Sequence, residues 1–169
     1  QTEDRKDGMI YRYLPNQKTK LLKGGKLQAL AFKDYPSLDT RNWEQNNIVL
    51  NEKYRIEWID IENVDNIQDD LRKRGYKNGA SIFARPEGMW YFDKQIFFTC
   101  TTGGEKKLGQ IWKYDINDEN LELIFESKNK KTMELCDNLT IAPWGDVIIC
   151  EDGKGMDRII GIKKNGTSY

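Results

Sequence analysis

The chain has 169 residues, with 27 basic and 27 acidic side chains and no histidine. The zero net charge argues against bulk capture of nucleic acid or an anionic membrane surface. The missing imidazole excludes a Ser-His-Asp triad, a histidine-bound zinc and a phosphohistidine carrier. A composition of 38% hydrophobic and 11% aromatic residues supplies enough large side chains for a buried core. No apolar run approaches the roughly 18 residues of a membrane span. The opening Gln1-Thr2-Glu3-Asp4-Arg5 carries neither Met nor the apolar stretch of a signal peptide.

In chain order, residues 9–14 (Met-Ile-Tyr-Arg-Tyr-Leu) read as a strand stopped by Pro15-Asn16. Residues 34–39 and 45–47 read as loop. Residues 54–61 alternate apolar and polar side chains, the period of a half-buried strand. Residues 66–75 read as a short exposed helix with Gly75 at its end. A dense series follows. Residues 88–92, 95–101, 109–115 and 121–127 are expected strands, joined by the Asp93-Lys94 turn, the 102–107 loop and the 117–120 turn. This is an up-and-down antiparallel meander. The pattern restarts with strands at 138–142, 146–150 and 158–163, separated by Pro143-Trp144-Gly145 and a Gly-containing loop at 151–157.

Thr101 and Glu151, both at second-strand ends, stand 50 residues apart, and Thr2-Glu3-Asp4 fits the same frame. A four-stranded unit recurring at roughly 40–50 residues marks a β-propeller blade. The expected fold is therefore all-β: a partial β-propeller of about three blades of four-stranded antiparallel meanders. Residues 1–169 form one domain fragment, with a small helical and loop insertion around residues 33–80. Since propellers close with about 4–8 blades, the chain is expected to be part of a larger one.

Equivalent strand ends in a propeller converge on one axis. Three clusters occupy such ends. Arg85-Pro86-Glu87-Gly88 opens an innermost strand; two residues apart on extended chain, Arg85 and Glu87 share a side. An arginine fork suits phosphate or carboxylate oxygens, and a glutamate can hold a hard cation; the plainer alternative is an ion pair at a turn. Glu151-Asp152-Gly153, with Asp137-Asn138 upstream, could wrap an oxygen-loving metal or be a solvated turn. Thr2-Glu3-Asp4 repeats that pattern. Thr102-Gly103-Gly104 is read as a plain hairpin loop and residues 128–131 as a solvated one. Trp58, Trp90, Trp112 and Trp144 are read as inter-blade packing. Cys100, Cys136 and Cys150 match no zinc pattern and are read as buried or half-buried.

Taken together, Thr2-Glu3-Asp4-Arg5, Gly8-Met9-Ile10-Tyr11-Arg12-Tyr13-Leu14-Pro15, Gly25-Lys26-Leu27-Gln28-Ala29-Leu30, Ala84-Arg85-Pro86-Glu87-Gly88, Gly109-Gln110-Ile111-Trp112-Lys113-Tyr114, Asp137-Asn138-Leu139-Thr140 and Pro143-Trp144-Gly145 with Cys150-Glu151-Asp152-Gly153 resemble the PhoX family of alkaline phosphatases over nearly the whole chain. The resemblance implies a six-bladed propeller that hydrolyses phosphomonoesters with calcium and iron at its channel mouth, in a periplasmic or extracellular parent. By motif match, Arg85 would bind the substrate phosphate, Glu87 would ligate calcium and Glu3 would be a further metal ligand. Asp137, Asn138 and Glu151 would lie at the same mouth, Asn138 on the catalytic side and the two carboxylates on the metal side. The family's earlier Pro-Trp-Gly…Cys-Glu-Glu block, whose cysteine ligates iron, has no counterpart within residues 1–169, so these residues alone are expected to be inactive. No nucleic-acid partner is expected; the missing blades of the parent are. Two rival readings are a calcium-dependent propeller lactonase or esterase, which would need the carboxylates but not Arg85, and a non-catalytic interaction propeller.

Overall fold

The computed structural model describes residues 1–169. Apolar and alternating runs bounded by turn residues form its ten strands. The meander of residues 86–126 is complete: β4 (Pro86–Phe92), β5 (Gln95–Cys100), β6 (Gln110–Asp115) and β7 (Asn120–Glu126) pair antiparallel in order. The β4–β5 hairpin turns on Asp93 and Lys94, whose φ angles of 46° and 63° are both left-handed. Two such residues make the tight turn whose twist matches that of the flanking strands.

Upstream, β1 (Tyr11–Pro15), β2 (Gly25–Phe32) and β3 (Lys53–Ile61) form a second antiparallel set, extended by a bridge from Thr2 to Ile10. The nine-residue β3 serves two edges. Its later residues pair with β2, and Lys53, Tyr54 and Arg55 pair with β7. The first two modules therefore share one seven-stranded sheet, ordered β1-β2-β3-β7-β6-β5-β4. Separate blades were expected; the long alternating strand inside the 33–80 segment joins them. Downstream, β8 (Cys136–Ile141), β9 (Val147–Glu151) and β10 (Ile159–Ile162) form a three-stranded sheet, and β8 packs on β4 and β5.

Trp112 is fully buried and anchors the main core. It stacks on Phe98, with centroids 6.1 Å apart, and meets the edges of Phe83 and Phe32. A second core lies between β5–β7 and the β8–β10 sheet, around Ile111, Phe125, Met133 and Ile149. No helix is long and apolar enough to cross a membrane.

Three expectations need correction. The helix α1 spans Leu71–Lys77, not 66–75. Asn66 donates its side-chain amide to Asp70, and the Asp70 N–H goes to Gln68, so these polar residues form turns instead of a helical ladder. Gly75 sits buried inside α1; a β-carbon there would come within 2.8 Å of the Met9 sulfur. Among the tryptophans, Trp112 is core and Trp58 half-buried, but Trp90 and Trp144 are 46% and 66% exposed, Trp144 lying in a turn. Cys100 and Cys136 are buried, whereas Cys150 points outward from β9.

Candidate functional site

Three segments distant in sequence meet at the start of β4. On one side the chain before β1 is stitched to the chain leading into β4 and to the first residues of that strand: the Phe83 N–H donates to the Gly8 carbonyl (2.8 Å), the Arg85 N–H to the Arg5 carbonyl (2.9 Å), and the Thr2 hydroxyl to the Glu87 carbonyl at the start of β4 (2.6 Å). On the other side the buried Thr99 hydroxyl ties β4 to β8. It accepts from the Gly88 N–H (2.9 Å) and donates to the Asp137 carbonyl (2.8 Å). Gly88 has a steric reason to be glycine, since a β-carbon would lie 2.6 Å from the Asn138 Cα. Thr2, Asp4, Pro86, Glu87, Gly88, Met89, Asp137 and Asn138 line the resulting open cleft of about 440 Å³.

Arg85 adopts φ 52°, a left-handed conformation for a residue with a β-carbon, at a cost of about 1–2 kcal/mol. Its backbone is held there by the Arg5 carbonyl and by the Thr101 N–H. Its guanidinium makes a side-on pair with Asp4, Nε to Oδ1 at 2.8 Å and Nη2 to Oδ2 at 3.1 Å. Nη2 also donates to Glu87 Oε1 at 2.7 Å. The Arg85–Glu87 ion pair that the spacing allowed is thus present, and it forms one wall of a charged cleft.

Glu87 is perturbed. Burial first, then a hydrogen bond and like-charge repulsion from Asp137, push its carboxyl up to about 8. Two carboxyl groups this close cannot both ionise freely. Asn138 stands beside them, its Oδ1 accepting from the Leu139 N–H.

Two expected members of the cluster are engaged elsewhere. Glu3 accepts from the Tyr11 hydroxyl at 2.7 Å and pairs with Arg72. Its neighbours Thr2 and Asp4 face the cleft, so Glu3 falls on the opposite side of the extended segment. Glu151 has a side chain only 3% exposed. It receives four hydrogen bonds: two from the Arg158 guanidinium, one from the Arg158 N–H and one from the Glu134 N–H. Burial works to raise its pKa, but Arg158 and the Glu134 N–H prevail and hold it below the usual carboxylate range. Sequence reasoning missed Asp4 as a partner of Arg85 and Thr99 as the tie to β8.

The donor set has a definite chemistry. The cleft offers carboxylate and amide oxygens from Asp4, Glu87, Asp137 and Asn138, with no thiol or imidazole. Hard cations prefer such donors. No three carboxyl, thiol or imidazole groups in the chain stand together in metal-binding geometry, so these residues fit part of a cation's shell, not all of it. A second cleft of about 390 Å³, between β1–β3 and β4–β6, is lined mainly by apolar side chains such as Leu30, Trp58 and Phe98 and holds no comparable cluster.

The sequence profile described as alkaline phosphatase PhoX matches residues 1–169. Among solved structures, the chain is similar to Pseudomonas fluorescens PhoX in complex with vanadate, a transition-state analogue, with a TM-score of 0.64 and 17% sequence identity. The match covers 99% of this chain and 40% of that one, so the chain spans well under half the length of this structural relative. At that identity the likeness is one of fold, and it bears out the all-β, partly propeller-like architecture. No curated protein matches.

Proposed function

The chain belongs to the PhoX alkaline phosphatase family, and from that membership we propose that it forms part of a phosphoric monoester hydrolase whose substrate phosphate is received at the Arg85 cleft. The observation that carries this reading is the guanidinium of Arg85 set against the crowded Glu87–Asp137 carboxyl pair in an open cleft. The remaining blades would come from a longer parent, of which residues 1–169 are one propeller fragment with an insertion around 33–80. Phosphate-ester substrates and a location outside the cytoplasm follow from the family, and no nucleic-acid partner is proposed.

Arg85 binds and orients a phosphoryl oxygen. Three of its N–H groups are taken by Asp4 and Glu87. The two on Nη1 have no protein acceptor in the structure and remain for the oxyanion. A planar, permanently charged fork suits this task. Arg85 alone cannot hold a phosphate here, because the carboxyl groups of Asp4, Glu87 and Asp137 surround it. One guanidinium is outnumbered by these three acidic side chains. A divalent cation would reverse that balance. Glu87 and Asp137 are the proposed calcium ligands, with Asn138 beside them contacting the substrate. When bound, the metal would screen the phosphate oxygens and activate an oxygen nucleophile.

Iron, the other metal the family suggests, would draw on oxygen donors of this chain. Burial pushes the Cys136 thiol up to about 12 and raises the Cys100 thiol well above its ordinary range, and neither lines the cleft. A ligand role for Glu3 or Glu151 would require each to give up the bonds it makes now. Because the chain supplies only part of a metal shell, residues 1–169 by themselves are proposed to be inactive.

The test is Arg85→Ala in the full-length protein, with p-nitrophenyl phosphate as substrate. Loss of a transition-state donor lowers kcat by about 100- to 1000-fold, and the thermal midpoint stays within a few degrees. Unchanged hydrolysis would overturn the reading.

A further inference from the structure

We propose that Asp4 is the positioning residue of Arg85, setting which edge of the guanidinium is left for an incoming phosphoryl oxygen; this rests on the phosphatase reading of the cleft. Asp4 and Arg85 are 81 residues apart and are joined side-on through Nε and Nη2 at 2.8 and 3.1 Å. A guanidinium presents a side-on edge (Nε with Nη2) and an end-on edge (Nη1 with Nη2) for bidentate recognition. Asp4 fills the first. Glu87 occupies the remaining hydrogen of Nη2. Only Nη1 keeps both hydrogens free, so the ring of contacts fixes the guanidinium plane and selects one donor atom.

The backbone makes this arrangement specific. The Arg85 N–H bonds the carbonyl of Arg5, the residue next to Asp4, and the Thr2 hydroxyl bonds the Glu87 carbonyl. These bonds hold the two segments in register where their side chains meet. Arg85 itself sits at φ 52°, where a side chain of any length is disfavoured. A strained backbone held by hydrogen bonds on both sides aims the side chain into a fixed direction. The alternation along residues 2–4 turns Thr2 and Asp4 to this cleft and Glu3 to Tyr11. Asp4 is thus the acidic residue of the segment that reaches Arg85.

Positioning can be separated from stability and from simple charge. Asp4 and Arg85 side chains are 49% and 33% exposed, and ion pairs that open to solvent contribute little to folding. If Asp4 acted only as a negative charge, removing it would draw phosphate in more tightly. If it positions Arg85, removing it weakens phosphate binding. The two accounts predict opposite signs.

The experiment compares wild type, Asp4→Asn and Asp4→Glu in the full-length protein. Four readouts are taken: KM and kcat for p-nitrophenyl phosphate, the inhibition constant of inorganic phosphate, the thermal midpoint, and the Arg85 Nε–H signal in ¹⁵N spectra. Asp4→Asn is expected to raise KM and the phosphate inhibition constant about tenfold, the scale of one charge-assisted hydrogen bond. The midpoint is expected to hold, and the slowly exchanging Nε–H signal to be lost. Asp4→Glu, which keeps the carboxylate, is expected to restore part of the binding and of the signal. Tighter or unchanged phosphate binding in Asp4→Asn overturns the proposal, as does an Nε–H signal that survives. A fall in thermal midpoint that matches the loss of binding, with no rescue by Asp4→Glu, also overturns it. If wild type neither hydrolyses the ester nor binds phosphate while Asp4→Asn still frees the Arg85 side chain, the phosphatase reading fails and the placement of Arg85 by Asp4 stands.

Discussion

Gly88→Ala perturbs the contact on which the Glu87–Asp137 pairing depends. The new β-carbon would stand 2.6 Å from the Asn138 Cα and 2.9 Å from the Asp137 carbonyl oxygen, whereas ordinary contact begins near 3.4 Å. Both obstacles are backbone, so no rotamer change relieves them. β4 and β8 must part by about 0.8 Å. If β8 carries that movement, the Thr99–Asp137 hydrogen bond of 2.8 Å opens to roughly 3.6 Å, past a useful hydrogen bond. Overpacking of this kind costs about 1–3 kcal/mol, and the lost hydrogen bond adds about 1 kcal/mol. A total of about 2–4 kcal/mol lowers the thermal midpoint of a domain this size by roughly 5–15 °C. The same movement takes Asp137 away from Glu87. In the metal-free protein a ¹³C carboxyl titration would show the Glu87 pKa fall from about 8 toward the ordinary glutamate value. The assays are a thermal melt and that titration, on wild type and variant. A variant with an unchanged midpoint and a Glu87 pKa still near 8 would show that β8 is not pressed against β4 as described.

Two further outcomes test other parts of the fold. The Glu126 side chain is 4% exposed; burial works to raise its pKa, but Lys128, Gln110 and Asn42 outweigh that and hold it below the usual carboxylate range. Its folded value is depressed, so its stabilisation is present above the unfolded pKa and is lost as pH falls through the folded one. Glu126→Gln should therefore lower the unfolding free energy by about 1–3 kcal/mol at neutral pH, with the gap closing below about pH 5; urea titrations that stay equally far apart down to pH 3 would contradict this. Of the three thiols, Cys150 is exposed while Cys100 and Cys136 are buried, so a disulfide-exchange reagent should titrate one thiol at once and the other two only on unfolding, with the fast phase lost in Cys150→Ser. Three fast thiols would contradict the two buried environments.

Much of the strand order was legible because strands leave local signatures. The run 86–126 alternates, turns on polar pairs and needs only neighbouring hairpins to close, so the order β4-β5-β6-β7 follows from the chain itself. The β3–β7 union does not. It pairs Lys53–Arg55 with residues 120–122, a contact between strands separated by α1 and three other strands. Nothing in the local alternation of residues 54–61 says which edges they will meet. The helix shifted for a related reason. Periodicity across residues 66–75 is compatible with a helix, but Asn66 and Asp70 satisfy each other and their own turns, delaying the start to Leu71. The exposed Trp90 and Trp144 show the limit of composition, since a large ring on a strand or turn reports its size and not its face.

The candidate site depends on parity more than on residue type. Reading carboxylates at strand ends finds Glu3, Glu87, Asp137 and Glu151 alike, because each has the right chemistry at the right place in its repeat. What separates them is a rotation of one residue along extended chain, which reverses the face. At residues 2–4 that rotation sends Glu3 to Tyr11 and Asp4 to Arg85. At residues 85–87 it keeps Arg85 and Glu87 together. Glu151 is withdrawn by Arg158 seven residues later, a pair that no spacing rule for β structure anticipates. Thr99 could not be found from sequence at all. Its hydroxyl matters because it joins two backbone groups from different modules, the Gly88 N–H and the Asp137 carbonyl, where β4 and β8 meet. A buried hydroxyl that closes such a seam is specified by tertiary packing, and the glycine at position 88 is its steric counterpart.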